Sequence, residues 1–161
     1  MKQMFSHLAS VCITLCLVAG TTSAAAAADE QGVQAAIGRF HDALNALFTG
    51  DAGPMKAAWS HAADVSYMGP TGGVQLGWKQ VERHWELQAA KKLGGRVDPQ
   101  DVRVIVAAEL AVACYVEKGE NVIDGRPQPV SIRSTTTFRK EAGEWKVVGH
   151  HTDTLAYLQP K

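Results

Sequence analysis

The sequence predicts an α+β fold in which helices come first and a mainly antiparallel sheet follows. Between residues 30 and 48, apolar side chains recur every three or four positions, which is the period of a helix with one buried face. Beyond Gly95 the period changes to two, which indicates strands. A domain with this order is typically a sheet with helices packed on one of its faces.

Three helices are predicted in the first half of the domain. The first spans residues 30–48 and buries a stripe formed by Val33, Ile37, Phe40, Leu44, Leu47 and Phe48. Pro54 begins a short second helix that reaches Trp59, because a first turn does not need the amide hydrogen that proline lacks. The third begins at Trp78 and ends before Gly94-Gly95.

The strands are predicted from alternation and from turn formers. A short hairpin joins residues 65–68 to residues 74–76 through the turn-forming segment 69–73. Four longer strands follow at residues 102–107, 110–117, 130–139 and 145–152, and the last two are hinged at residues 141–144. Alternation places His151 and Asp153 on one face of the final strand, with His150 and Thr152 on the other.

Residues 1–28 are predicted to form a cleavable signal peptide, which leaves residues 29–161 as one domain. Lys2 supplies the basic start, residues 8–19 the apolar run, and Thr22-Ser23-Ala24 or the alanines after it the cleavage site. The alternative is an uncleaved anchor, but the apolar run is short against the roughly 20 residues of a membrane span. We therefore expect a periplasmic or secreted protein that is free of the membrane after cleavage.

The composition excludes some partners. The chain has 16 Lys and Arg against 16 Asp and Glu, and this neutral balance without basic clusters argues against nucleic acid. Signal cleavage would leave Cys114 as the one cysteine, so no intrachain disulfide is expected. Its place in an apolar run predicts a small buried core residue, with a nucleophilic role as the alternative. Export separates the protein from intracellular cofactor pools, so no cofactor is expected.

The order of these elements resembles the nuclear transport factor 2-like superfamily, in particular its SnoaL-like and ketosteroid-isomerase-related members. The phrases that carry the resemblance are AIGRFHDALNALFTGD, WSHAADVSYMGPTGG, GWKQVERHW and TTTFRKEAGEWKVVGHHTD, and together they extend over nearly all of residues 29–161. The resemblance implies a cone-shaped barrel, made of a curved sheet covered by N-terminal helices, whose open end is a pocket. It also implies a homodimer formed through the outer face of the sheet.

Members of this superfamily include isomerases, dehydratases, epoxide hydrolases and cyclases, as well as proteins that only bind or assemble, so the site must decide the function. Isomerase members use a carboxylate base near the first short strand and a tyrosine on the first helix. The matching positions here are Tyr67 and Phe40. A phenol with a pKa of about 10 is a poor base near neutrality, and phenylalanine cannot donate a hydrogen bond. Steroid isomerase chemistry is therefore not expected.

The candidate proton-transfer groups are His151 and Asp153. A histidine exchanges a proton near neutral pH, and a neighbouring carboxylate can hold its tautomer. The SnoaL-like cyclases use an acidic residue on a late strand as base, and Asp153 matches that position by resemblance. The alternative is structural, with His151 bonded to backbone or to Thr135. The residues expected to line the same pocket are Trp59, His61, Tyr67, Trp85, Arg133 and Thr135.

No metal is expected, because the adjacent His150 and His151 point to opposite faces of a strand and no His-x-x-x-His or Cys-x-x-Cys spacing supports a site. Three functions remain open. The first is binding of a small, largely apolar organic molecule, the second is a cofactor-independent lyase, isomerase or cyclase that uses His151 or Asp153, and the third is an oligomeric assembly module. The aromatic residues near the pocket favour a small organic ligand over a nucleotide.

Overall fold

The computed structural model describes the backbone of residues 18–154 and the side chains from residue 25 onward. Much of the predicted signal peptide and the end of the chain, residues 155–161, lie outside these described residues. The elements are α1 (Val18–Thr49), α2 (Gly53–Ala58), β1 (Ser66–Met68), β2 (Gln75–Leu76), α3 (Trp78–Ala90), β3 (Arg96–Val106), β4 (Leu110–Ile123), β5 (Arg126–Glu141) and β6 (Glu144–Asp153).

The six strands form one curved, mixed sheet in the order β2-β1-β6-β5-β4-β3. β1 runs parallel to β6, with Tyr67 opposite His150, and the other neighbouring strands are antiparallel. β2 and β3 are edge strands, so the sheet is not closed into a complete barrel. The predicted α+β class and the mainly antiparallel sheet are confirmed.

α1 covers the inner face of the sheet, as its apolar period predicts. Val33, Ile37, Phe40 and Leu47 are buried, and the helix packs against α2, β3 and β6. Asn45 joins α1 to β3, because its side-chain amide donates to the Val97 carbonyl over 3.0 Å and its oxygen accepts from the Val97 amide over 2.8 Å. Within residues 18–154, no helix combines the length and apolarity needed to cross a membrane.

The central hairpin is longer than the sequence predicts. β4 and β5 pair continuously from Leu110 opposite Arg139 to Ile123 opposite Arg126. Asp124 and Gly125 both have positive φ, 52° and 73°, which gives the two-residue turn that matches the twist of paired strands. The prediction ended the two strands early because polar residues on both sides of this turn interrupt the apolar alternation.

A β-bulge in β6 decides which side chains face inward. Thr137 pairs with Gly149 and Phe138 pairs with Val147, so Val148 has no partner on β5. Before the bulge the odd-numbered residues of β6 are buried, whereas after it His150 and Thr152 are buried. An inserted residue shifts the alternation by one position, so every later side chain changes face.

Candidate functional site

A cavity of about 340 Å³ lies between the helices and the inner face of the sheet. Its walls are mostly apolar and come from α1, α3 and the long strands: Leu44, Leu47, Phe48, Trp85, Leu93, Val97, Val130 and Ile132. Three solvent-exposed residues, Thr71, Lys91 and Ile123, mark the side where it meets solvent. Glu117, His150 and Tyr67 also line it, and all three are buried.

A chain of buried polar groups crosses three neighbouring strands behind this cavity. The Tyr115 hydroxyl lies 2.6 Å from Thr136 Oγ1, which lies 2.8 Å from His150 Nδ1. His150 Nε2 in turn lies 3.6 Å from Glu117 Oε1. Tyr115 and Glu117 are two residues apart on β4, so alternation directs both inward beside Thr136 of β5 and His150 of β6.

A second histidine approaches the same carboxylate oxygen from α1. His41 Nε2 lies 3.6 Å from Glu117 Oε1, and His41 Nδ1 lies 2.9 Å from the Ile37 carbonyl. A carbonyl only accepts, so Nδ1 carries a proton and donates it to Ile37. Both imidazole contacts with Glu117 are ion-pair separations rather than close hydrogen bonds. One buried carboxylate therefore lies between two buried imidazoles.

Burial fixes the protonation state of His150. Removal from water lowers the pKa of His150 to about 4, although Glu117 opposes this shift, so the ring is neutral near neutral pH. Burial acts to raise the pKa of the Glu117 carboxyl, but the contact with His41 and the attraction to both imidazoles outweigh it and lower that pKa. The neutral ring then directs Nε2–H to Glu117, and its Nδ1 accepts from Thr136.

Aromatic rings hold His150 and Tyr67 in place at the cavity wall. The Tyr67 ring is nearly parallel to His150 with centroids 5.9 Å apart, and Phe40 packs against His150 at 4.8 Å. Burial, with a smaller effect from Glu117, raises the pKa of Tyr67, so its hydroxyl stays protonated and can donate. A side chain at Gly69 would place a Cβ 2.6 Å from that hydroxyl oxygen, so glycine keeps the space around it open.

Residues 33–156 match the family model of the SnoaL-like domain. The chain belongs to the SnoaL-like domain family. The match covers most of residues 29–161, where the resemblance was expected, so the predicted family is confirmed. No protein of curated function matches the chain significantly.

Solved structures place this SnoaL-like domain in the nuclear transport factor 2-like fold. A candidate dehydratase of that family from Streptomyces avermitilis has a TM-score of 0.71 at 23% identity, covering 80% of this chain and 97% of its own. A nuclear transport factor 2-like protein with a cystatin-like fold from Novosphingobium aromaticivorans has a TM-score of 0.70 at 17% identity, covering 89% and 97%. A candidate association domain of a calcium/calmodulin-dependent protein kinase type II from Thiobacillus denitrificans has a TM-score of 0.64 at 26% identity, covering 76% and 94%.

The structure brings two of the six predicted pocket residues to the cavity of the SnoaL-like domain. Tyr67 and Trp85 line it. Trp59 is buried in the core behind them, 5.9 Å from Trp85 between ring centroids, and is not part of the lining. His61 is exposed and stacks on Trp78 at 4.1 Å, outside the cavity.

The other predicted site residues lie on the outer face, defined here as the face of the sheet opposite α1. A shallow depression there is lined by His151, Asp153, Arg133 and Thr135. These residues were expected to share the cavity with Tyr67, but they do not. Arg133 forms an ion pair with Asp153 at 2.8 Å. The physical reason for the difference is the Val148 bulge, which turns His150 inward and His151 outward.

The expectation for Cys114 is also wrong. Cys114 is exposed on the outer face, with its Sγ 3.8 Å from Thr135 Oγ1. It alternates with Ala113 and Tyr115, which are the buried members of that stretch of β4.

Sequence reasoning missed Glu117, His150 and His41, although two of them carry a signal. Glu117 continues the inward series Ala111, Ala113 and Tyr115 on β4, so it is an acidic residue in an apolar stripe. His41 likewise interrupts the apolar stripe of α1, four residues after Ile37. Within the described part of the chain, no group of three or more His, Cys, Asp or Glu is arranged to hold a metal ion.

Proposed function

We propose that this SnoaL-like protein binds a small, largely apolar organic molecule in the cavity, with Glu117, beside His150, as its polar anchor. The observation that carries the proposal is a buried carboxylate next to a buried imidazole on the wall of a largely apolar space. The volume of about 340 Å³ falls in the range of roughly 300–1,000 Å³ typical of small-molecule sites. Few polar groups on apolar walls are the usual composition of such sites.

The cost of burying Glu117 argues against an incidental cavity. Moving a carboxylate out of water costs several kcal/mol, and here two imidazoles that are themselves buried must offset that cost. Glu117 is 4% exposed, and its Oε1 has no hydrogen-bond partner among the described residues. Because apolar residues in place of a buried ion pair are often equally stable or more stable, the carboxylate favours a role towards a ligand.

A second candidate function is proton transfer by a cofactor-independent lyase, isomerase or cyclase. The same pair favours it, because a carboxylate and a neutral imidazole can accept and return a proton beside the donor hydroxyl of Tyr67. The sequence assigned this role to His151 and Asp153, and the geometry supports Glu117 and His150 instead. Turnover of a candidate substrate that survives in Glu117→Gln with an unchanged pH profile would contradict this function.

A third possibility is that the domain serves assembly. The outer face carries the exposed residues Cys114, Arg133, Thr135 and His151, and we propose that it forms a homodimer interface. A relative at 26% identity is named an association domain, which supports oligomer formation by this fold. If the domain formed a higher oligomer with an empty cavity, assembly rather than ligand binding would be its function.

We propose that residues 1–28 are removed on export, which stays a prediction from the sequence. Two features of the packing support it. Residues 25–28 are exposed, whereas Asp29 forms an ion pair with Lys140 and Val33 is the first fully buried side chain of the described helix. Cleavage before Asp29 would therefore remove no packed side chain among those described. The intact mass of protein recovered from the periplasm or the medium tests this directly.

Native mass spectrometry of the exported, mature protein tests the binding function. The proposal predicts a dimer that carries an organic adduct, lost in His150→Ala and retained in the neighbouring His151→Ala. Tyr67→Phe provides a milder cavity variant should His150→Ala fail to fold. An empty dimer would contradict the binding function, a larger empty ring would favour assembly, and a metal adduct would contradict the expectation that no metal is bound.

A further inference from the structure

The protons around Glu117 determine what kind of ligand the cavity accepts. His41 Nδ1 donates to the Ile37 carbonyl, and His41 Nε2 and His150 Nε2 each lie 3.6 Å from Glu117 Oε1. Both separations exceed a close hydrogen bond, so neither imidazole saturates the carboxylate.

The remaining protons of the buried network point away from the cavity. Tyr115 donates to Thr136, Thr136 donates to His150 Nδ1, and His150 Nε2–H is directed at Glu117. The hydroxyl groups of Tyr115 and Thr136 and the Nε2–H of His150 are therefore used within the network, and none of these three is left to donate to a ligand. The carboxylate of Glu117, which lines the cavity, can still accept a hydrogen bond because each of its oxygens has two lone pairs.

Tyr67 supplies the complementary group on the cavity wall. Its hydroxyl is protonated, and among the described residues no hydrogen bond or ion pair offsets the burial of this side chain. Tyr67 stacks on His150 with ring centroids 5.9 Å apart, and His150 Nε2 lies 3.6 Å from Glu117 Oε1, so Tyr67 and Glu117 flank the same imidazole. On the inner wall of the cavity, Glu117 thus presents an acceptor and Tyr67 a donor.

We infer that the cavity selects a neutral organic molecule bearing a hydroxyl group, which donates to Glu117 and accepts from Tyr67, over ethers and carboxylates of the same size. This inference rests on the proposed binding function and adds the chemical class of the ligand. A hydroxyl satisfies both wall groups at once, whereas an ether cannot donate and a carboxylate would bring a second negative charge beside Glu117.

Three probes with one apolar body test the selection: 2-naphthol, 2-methoxynaphthalene and 2-naphthoate. Isothermal titration calorimetry near neutral pH should give the tightest binding for 2-naphthol. A hydrogen bond to a charged group predicts a preference over the ether of about tenfold or more. Naphthoate should bind more weakly still; among the described lining residues, exposed Lys91 near the opening carries the positive charge that could reverse this order.

Variants assign the preference to the two wall groups. In Glu117→Gln the advantage of 2-naphthol over 2-methoxynaphthalene should fall to about threefold or less, because the acceptor loses its charge. Tyr67→Phe should weaken the binding of both probes and leave their ratio unchanged, because both accept a hydrogen bond from Tyr67. In His151→Gln, on the outer face, the advantage should be unchanged. If Glu117→Gln fails to fold, the wild-type ranking and the weaker binding of both probes by Tyr67→Phe still decide the matter.

The outcomes separate the inference from the function on which it rests. Equal binding of all three probes, or tightest binding of 2-naphthoate, would overturn the selection and leave the binding function standing. No binding of any probe would overturn both. A preference for 2-naphthol that persists in Glu117→Gln, or binding of both probes that is unchanged in Tyr67→Phe, would also overturn the inference, because other groups would then recognise the hydroxyl.

Discussion

Burial of neutral His150 makes the stability of the domain depend on pH. The ring has an ordinary pKa of 6.5, and burial lowers the pKa of His150 in the folded protein to about 4. Between these values the unfolded chain binds a proton that the folded protein refuses, so stability falls as the pH falls. The interval corresponds to roughly 3 kcal/mol of unfolding free energy, fully present above the unfolded value and lost by about pH 4.

Urea unfolding at a series of pH values, followed by tryptophan fluorescence, measures this effect. The matched variants are His150→Gln and His151→Gln, which change adjacent residues on opposite faces of β6. His150→Gln should lose stability at neutral pH but show a loss between pH 6.5 and about 4 that is smaller by roughly 3 kcal/mol. His151→Gln should follow the wild type, since this exposed ring lies outside the buried network.

Two other buried or partly buried groups also reduce the stability as the pH falls, and both are present in the wild type and in the two variants. The pKa of Glu117 is lowered, so its contribution is present above 4.5 and is lost below that value. The pKa of His84 is also lowered, mainly by partial burial, and its contribution is present above 6.5. The reasoning would be refuted if the unfolding free energy of His150→Gln depended on pH as strongly as that of the wild type, or if this dependence disappeared in His151→Gln.

Two further predictions concern stability and are measured by urea unfolding at neutral pH. Thr136→Val keeps the shape of the side chain but removes the hydrogen-bonded link between Tyr115 and His150, so the free energy of unfolding should fall by about 1–3 kcal/mol. Thr135→Val, on the outer face, should leave it nearly unchanged. Equal losses in the two variants would contradict the buried network. Gly95→Ala should destabilise more than Gly125→Ala, because the two glycines have similar φ, 78° and 73°, but only the first would place a Cβ 2.1 Å from a backbone oxygen. Equal losses of unfolding free energy in the two variants would show that the positive φ, and not the close contact, determines the effect.

The fold could be predicted because its signals repeat along the sequence. The stripe on α1 offers Val33, Ile37, Phe40 and Leu47 in turn, and each is buried as the period predicts. One wrong residue in such a series would not change the interpretation. The strand ends were harder, because the turn at Asp124-Gly125 lies among polar residues that carry no alternation.

The site could not be predicted because it depends on a single unpaired residue. Val148 looks like any other member of an alternating strand, and its bulge appears only when β6 is paired with β5. Reading inward from buried Trp145 and Val147 would direct His151 to the cavity, whereas the bulge directs His150 there. The sequence thus indicated a histidine on the last strand and assigned the wrong neighbour to the cavity.

The central claim is that the inner face of the sheet, at His150, is where this SnoaL-like domain meets its ligand. Isotope-labelled histidine makes the imidazole signals of His150 and His151 separately visible by nuclear magnetic resonance while 2-naphthol is added. The account predicts that the His150 signal shifts with saturation and that the His151 signal does not move. A saturable shift of His151 with His150 unchanged would contradict it and return the site to the outer face.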